Sequence, residues 1–136
     1  MPASTITPVL EYPNVQAAVA WLCRAFGFQE RLRIGTHRAQ LTFGDGCIVV
    51  SEQPPNTANS PRPSDAVMIR VSSAVAHREM ALAAGAVGVG PATDYPYGER
   101  QYSAEDPWGH RWTFSETLAD VDPADWGGIL THPPDP

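Results

Sequence analysis

No lysine occurs anywhere in this chain; all nine of its basic residues are arginine. Schiff-base chemistry through a lysine amine is therefore excluded. Set against fifteen acids, nine arginines leave a formal net charge of −6, which discourages nucleic acid as a partner because a phosphate backbone is drawn to surplus positive charge. Cysteine is scarce too: Cys23, expected in a helix, and Cys47, at a strand start, are read as small core residues and not as a disulfide. No apolar run is long enough to cross a bilayer, and residues 1–4 carry no signal-peptide pattern, so no membrane partner and a cytoplasmic location are expected. Also absent are a nucleophile motif around a serine or cysteine and a zinc-type Cys or His spacing. The glycine-rich residues 85–90 follow a helix, whereas a phosphate-cradling loop precedes one.

What is present is organised around residues 97–116, YGERQYSAEDPWGHRWTFSE. Asp106-Pro107-Trp108-Gly109 reads as a tight turn, since proline pre-sets φ, aspartate bonds the backbone ahead of it and glycine suits the exit. Residues 101–104 run into that turn as a strand. Residues 110–115 run out as another, with Trp112 and Phe114 alternating against Arg111, Thr113 and Ser115, the period of a half-buried strand. One face meets a core; the other meets something polar.

The rest of the chain reads as one domain of two similar modules. Residues 5–11 form a first strand, Asn14 caps a helix carrying Val15, Val19, Leu22 and Phe26 on one stripe, and Gly27 stops it. Strands over 28–34, 38–43 and 47–51 follow, the last two joined by Gly44-Asp45-Gly46. A proline-rich linker over 53–64 leads to the second module: a strand at 66–71, a helix over 74–84 capped by Ser72 or Ser73 and closed by Gly85, a short strand at 86–90, and the two strands around Asp106–Gly109. The caps Asn14 and Ser73 lie 59 residues apart and the stops Gly27 and Gly85 lie 58 apart, so the order strand, helix, three strands occurs twice. Module 1 spans about 5–52, module 2 about 65–116, and an acidic tail 117–136. A pocket between the modules would be walled by symmetry-related strand positions.

These features resemble the glyoxalase/bleomycin-resistance/dioxygenase superfamily, also called vicinal oxygen chelate. The resemblance rests on the Asp-Pro-x-Gly-His turn before a short mixed strand, on Val9-Leu10 and Tyr12 ahead of Asn14, on the helix ending Ala25-Phe26-Gly27-Phe28, and on Gly44-Asp45-Gly46 before Ile48-Val49-Val50. It implies an α+β fold in which two β-α-β-β-β modules build a curved, cleft-bearing mixed sheet. It also implies a homodimer, with modules paired across chains or within one. In the superfamily's metalloenzymes four concave-face positions supply His, Glu or Gln to a divalent ion. Counted from the caps and the last strands, those positions are Thr7, Val49, Ala66 and Thr113, and none is a ligand type. Glu52 and Glu116 sit three residues beyond two of them and should face the other side of the pleat. No metal and no cofactor is therefore expected.

The closest branch is the metal-free, bleomycin-resistance-like one, whose members sequester a drug without chemistry. Ligand contacts are expected from Trp108, Arg111, Thr113, Thr7, Tyr102, Tyr95, Tyr97, Phe43 and Trp126, with the rings stacking on a planar aromatic or glycopeptide antibiotic. Trp108 and Trp126 could equally contact a partner subunit, and Arg111 could instead pair with Asp106. His110 reads as a hydrogen-bonding turn residue, with a catalytic base as the alternative. Two rival functions stay open: a metal-dependent lyase, thiol transferase or dioxygenase, and a non-catalytic interaction module.

Overall fold

The computed structural model describes residues 6–54 and 66–130. In the first module β1 (Val9–Tyr12) stops at Pro13, and α1 (Val15–Phe26) starts where the Asn14 side chain accepts the Ala17 N–H at 2.9 Å, leaving fewer orphan donors in the first turn. Gly27, at φ +88°, ends the helix in the left-handed conformation that a side chain resists. Then come β2 (Gln29–Ile34), β3 (Arg38–Phe43) and β4 (Gly46–Glu52). The four strands lie in the order β1-β4-β3-β2, with β1 parallel to β4 and the other pairs antiparallel.

The second module repeats this plan with β5 (Ala66–Arg70), α2 (Ala74–Ala83), β6 (Thr93–Tyr95), β7 (Glu99–Glu105) and β8 (Arg111–Thr117), in the order β5-β8-β7-β6. Two side chains serve the start of α2: Ser73 accepts the Ala76 N–H at 3.2 Å and Glu116 accepts the Ala74 N–H at 2.9 Å. The strand expected over 86–90 is not formed. Gly88 at φ +59° and Pro91 interrupt the extended backbone, so only Val87 bridges to Glu105, and the third strand of the module is Thr93–Tyr95. Most of the expected linker, and the tail beyond residue 130 including His132, lie outside the described residues.

One core serves both modules. Phe26, at the end of α1, meets Phe114 and Trp112 of β8 at ring separations of 4.8 and 5.4 Å, and Phe28 meets Trp112 at 5.6 Å. Trp21, off the apolar stripe of α1, is nevertheless buried, because its indole N–H reaches the Ala84 carbonyl at 2.8 Å and ties the first helix to the end of the second. Cys47 is buried, Cys23 half-buried, and both are free thiols. Since the helix-side rings of both sheets converge on this core, the opposite faces look outward, away from each other. No described helix is long and apolar enough to cross a membrane.

Candidate functional site

Strand alternation decides which residues face outward. On β8, Trp112 and Phe114 enter the core while Arg111, Thr113, Ser115 and Thr117 take the other side. Register places Glu105, Ser103, Gln101 and Glu99 of β7 beside them, and Met68 of β5 beside Thr113. The outer face of the second sheet is thus a ladder of hydrogen-bonding groups. Ser103 and Thr113 share a hydroxyl contact of 2.8 Å; Tyr97 donates to Gln101 Oε1 at 3.2 Å, Gln101 donates to Ser115 Oγ at 3.1 Å, and Ser115 donates to Glu99 at 2.8 Å. At one end an open hollow of about 420 Å³ is lined by Arg111, Ser103, Ala104, Glu105 and Gly88. At the other, Tyr95 stacks on Tyr97 at 5.2 Å and 8°, and Trp126 meets Tyr97 edge-on at 5.5 Å.

The outer face of the first sheet is less polar. Val9 is 53% exposed, and Leu32 and Ile34 of β2 are also exposed there, beside Gln40 and Arg38, with Arg31 donating to Gln40 at 2.6 Å. A second open hollow, about 580 Å³, lies at the end of this sheet against His37, Ser51, Glu52, Gln53 and Pro54.

The structure brings together some of the expected contact residues and separates others. Arg111, Thr113, Tyr95, Tyr97 and Trp126 belong to the second sheet's outer face or its rim. Thr7 lies two residues before β1, in the other module. Tyr102 belongs to the core: it is 2% exposed, its ring stacks on Phe114, and its hydroxyl bonds His77 Nδ1. Phe43 also points to the helix side, against Phe28 and His77, because it shares the phase of Ala39 and Leu41. Trp108, expected in water at the turn tip, is half-buried and packs edge-on against Tyr12 at 5.4 Å and Trp21 at 6.2 Å. Alternation could not have shown this, because the turn folds back over the first helix.

An Arg111–Asp106 ion pair is not formed either. Asp106 is fully buried on the far side, accepting from Tyr12, Trp112 and two backbone N–H groups, while Arg111 faces out. His110 Nε2 contacts the Glu11 carbonyl at 2.7 Å and so bonds across the modules from the turn. His77, spanning from α2 to the Phe26 carbonyl at 2.8 Å, is buried, and desolvation holds its pKa below the ordinary histidine value despite that carbonyl.

A divalent metal of the kind the fold family uses does not fit these residues. The four expected positions offer two hydroxyls and two hydrocarbons, Glu116 is engaged at the start of α2, and among the described residues no three His, Cys, Asp or Glu side chains converge as a metal site. Sequence reasoning overlooked Glu99, Gln101 and Ser103, although the alternation in ERQYSAE contains the signal.

A shared core between two β-α-β-β-β modules, with an outward polar sheet face, defines the class to which this molecule belongs. Residues 8–114 match the model of the Glyoxalase/Bleomycin resistance protein/Dioxygenase superfamily, and the chain belongs to that superfamily. Among solved structures it is similar to TioX from Micromonospora sp. ML1, at 36% identity over 85% of this chain and 100% of that one, with a TM-score of 0.71. A glyoxalase/bleomycin resistance protein/dioxygenase family enzyme from Burkholderia phytofirmans PsJN shares the fold at 20% identity, covering 82% of this chain and 97% of that one, TM-score 0.70. So does the fosfomycin resistance protein FosX from Listeria monocytogenes, at 15% identity over 85% and 94% of the two chains, TM-score 0.67. No curated protein matches the sequence.

Proposed function

We propose that this protein binds and sequesters a small molecule bearing planar aromatic and hydrogen-bonding parts, such as a planar aromatic or glycopeptide antibiotic, without a metal and without making or breaking bonds, and so confers drug resistance. The observation that carries this reading is the outer face of the second sheet: a hydroxyl and amide ladder, Ser103/Thr113 and Gln101/Ser115, running from Arg111 at one end to the Tyr95/Tyr97 stack at the other. Such a surface orients a ligand by hydrogen bonds and holds its rings by stacking, while its donor set is wrong for metal-assisted chemistry.

A second copy of the chain completes the site. Within one chain the two outer faces both point away from the shared core, β1 and β5 are open edge strands, and their own Val9 and Met68, the latter 64% exposed, lie on those faces. A two-fold dimer that lays the first sheet of one copy against the second sheet of the other would bury these side chains and turn an open face into a cleft. Calorimetric titration with a panel of planar aromatic and glycopeptide antibiotics tests the function. Binding at micromolar affinity or better, weakened by Thr113→Val and Arg111→Ala, is expected. Absence of heat across the panel would favour the interaction module instead.

A further inference from the structure

The superfamily match ends at residue 114, yet the described chain continues to residue 130, and this extra segment does not drift away. It turns back at once. The Gly98 carbonyl accepts the N–H groups of Leu118 at 2.7 Å and of Ala119 at 3.2 Å, and a 3-10 helix, Pro123–Trp126, begins where the Asp122 side chain accepts the Ala124 N–H at 3.1 Å. Gly127, at φ +90°, reverses the chain so that Gly128 lies under the Trp126 ring, where a Cβ would sit 2.8 Å from the indole. The indole thus lies against Gly128 and meets the Tyr97 ring edge-on, still 41% exposed.

Gly98 is the seat of this arrangement. Any side chain there would overlap the Ala119 carbonyl oxygen and crowd Val121, and its φ of +86° is itself a glycine conformation. Gly85 supplies a natural comparison: its φ is +89°, but nothing lies within 4 Å of a Cβ built on it.

We infer that residues 118–128 are a strap, docked on Gly98, that adds a subsite for a flat, cationic ring to the end of the ligand face, with Trp126 and Tyr97 as its walls and Tyr95 as the continuation of its floor. This rests on the ligand-binding reading given above and names the part of the ligand that this end receives. Two independent observations set the class. Tyr95 and Trp126 keep 40% and 41% of their surface exposed, and carboxylates flank the rings: Glu99, two residues past Tyr97, accepts from Ser115 on the same face, and Asp122 and Asp125 belong to the turn that carries Trp126, while Arg100, on the opposite phase of β7, is paired with Asp94. Burial first, then Tyr95 and Glu99, hold the Tyr97 phenol above its usual range. Stacked aromatic faces next to carboxylates attract a cation and repel a carboxylate or phosphate. Gly98 acts through the strap as a positioning residue.

The test uses the full chain, with 1-methylquinolinium as the cationic probe and 2-naphthoate as its anionic counterpart. In nitrogen–proton spectra the Trp126 indole N–H, assigned from Trp126→Phe, is expected to shift on addition of 1-methylquinolinium and to stay put with 2-naphthoate. Gly98→Ala should move that resonance to the position of a free indole and weaken probe binding by about tenfold, the scale of one lost aromatic contact. Gly85→Ala should change neither. Should Gly98→Ala disrupt the hairpin, a chain ending after Leu118 gives the same reading: a folded protein with the tenfold loss. An unmoved Trp126 resonance in Gly98→Ala, equal binding of both probes, or full affinity in the shortened chain would overturn the inference. These readouts do not depend on the antibiotic panel, so a silent panel with a responsive Trp126 would count against the sequestration reading and leave the subsite standing.

Discussion

The Tyr12 hydroxyl donates to Asp106 Oδ2 at 2.7 Å, both residues being fully buried and 94 positions apart, one in each module. No cation accompanies this carboxylate among the described contacts. Trp112 Nε1 donates to the same oxygen at 3.2 Å, and the backbone N–H groups of Trp108 and His110 donate to Oδ1 at 3.0 and 3.1 Å, so the charge is met by four donors. Desolvation and the adjacent carboxylate push the Tyr12 phenol far above its ordinary pKa, which keeps it a donor at any physiological pH.

Tyr12→Phe should therefore cost about 1–3 kcal/mol of stability, because one buried carboxylate lone pair loses its partner. Asp106→Asn should cost more. Its amide nitrogen would turn N–H groups toward either the Trp112 indole N–H or the two backbone N–H groups, none of which can accept. Urea midpoints at constant slope check both, and equal loss in the two variants would argue against this account.

Acid should destabilise the protein through His77. Its Nε2–H donates to the Phe26 carbonyl and its Nδ1 accepts from Tyr102, so the neutral ring is fully satisfied, and burial holds the folded pKa below the unfolded value of about 6.5. Above that value neither state is protonated and nothing is lost. As pH falls through it, the unfolded chain takes up a proton that the folded one resists, and stability declines. Midpoints between pH 7.5 and 5 should fall in the parent and fall less in His77→Gln.

Glu116→Gln should lower stability by about 0.5–1 kcal/mol, since the carboxylate at the first turn of α2 offsets the positive helix end, and should leave ligand affinity unchanged. A large loss of affinity with stability intact would place Glu116 in the site.

Metal content gives an independent check. Protein purified without chelator should carry no stoichiometric Zn, Mn, Ni or Fe, and dialysis against EDTA should shift neither its melting temperature nor its ligand affinity. One tightly held equivalent would return the metal-dependent reading to the front.

Sedimentation should report a dimer that Val9→Glu or Met68→Glu dissociates, because each variant places a charge on an outer face that a second copy is proposed to cover. A parent that sediments as a monomer at high micromolar concentration would remove the partner from the site.

Much of this was legible in the residues. Asn14, Gly27, Ser73 and the turn at Asp106–Gly109 are local devices, each satisfying backbone groups or φ within a few positions, and alternation on the last strand separated Trp112 and Phe114 from Arg111 and Thr113 without any tertiary information. The phase that turned Glu116 away from Thr113 was read in the same way. The strand assigned to 86–90 failed because glycine and proline there outweigh a short apolar run. Only the fold decided that Trp108 lies against α1, that Asp106 answers Tyr12 and not Arg111, and that Trp126 returns to Tyr97 across Gly98. Those contacts join positions far apart in the chain or cross a turn whose direction periodicity does not encode, so they exist only once two modules share a core.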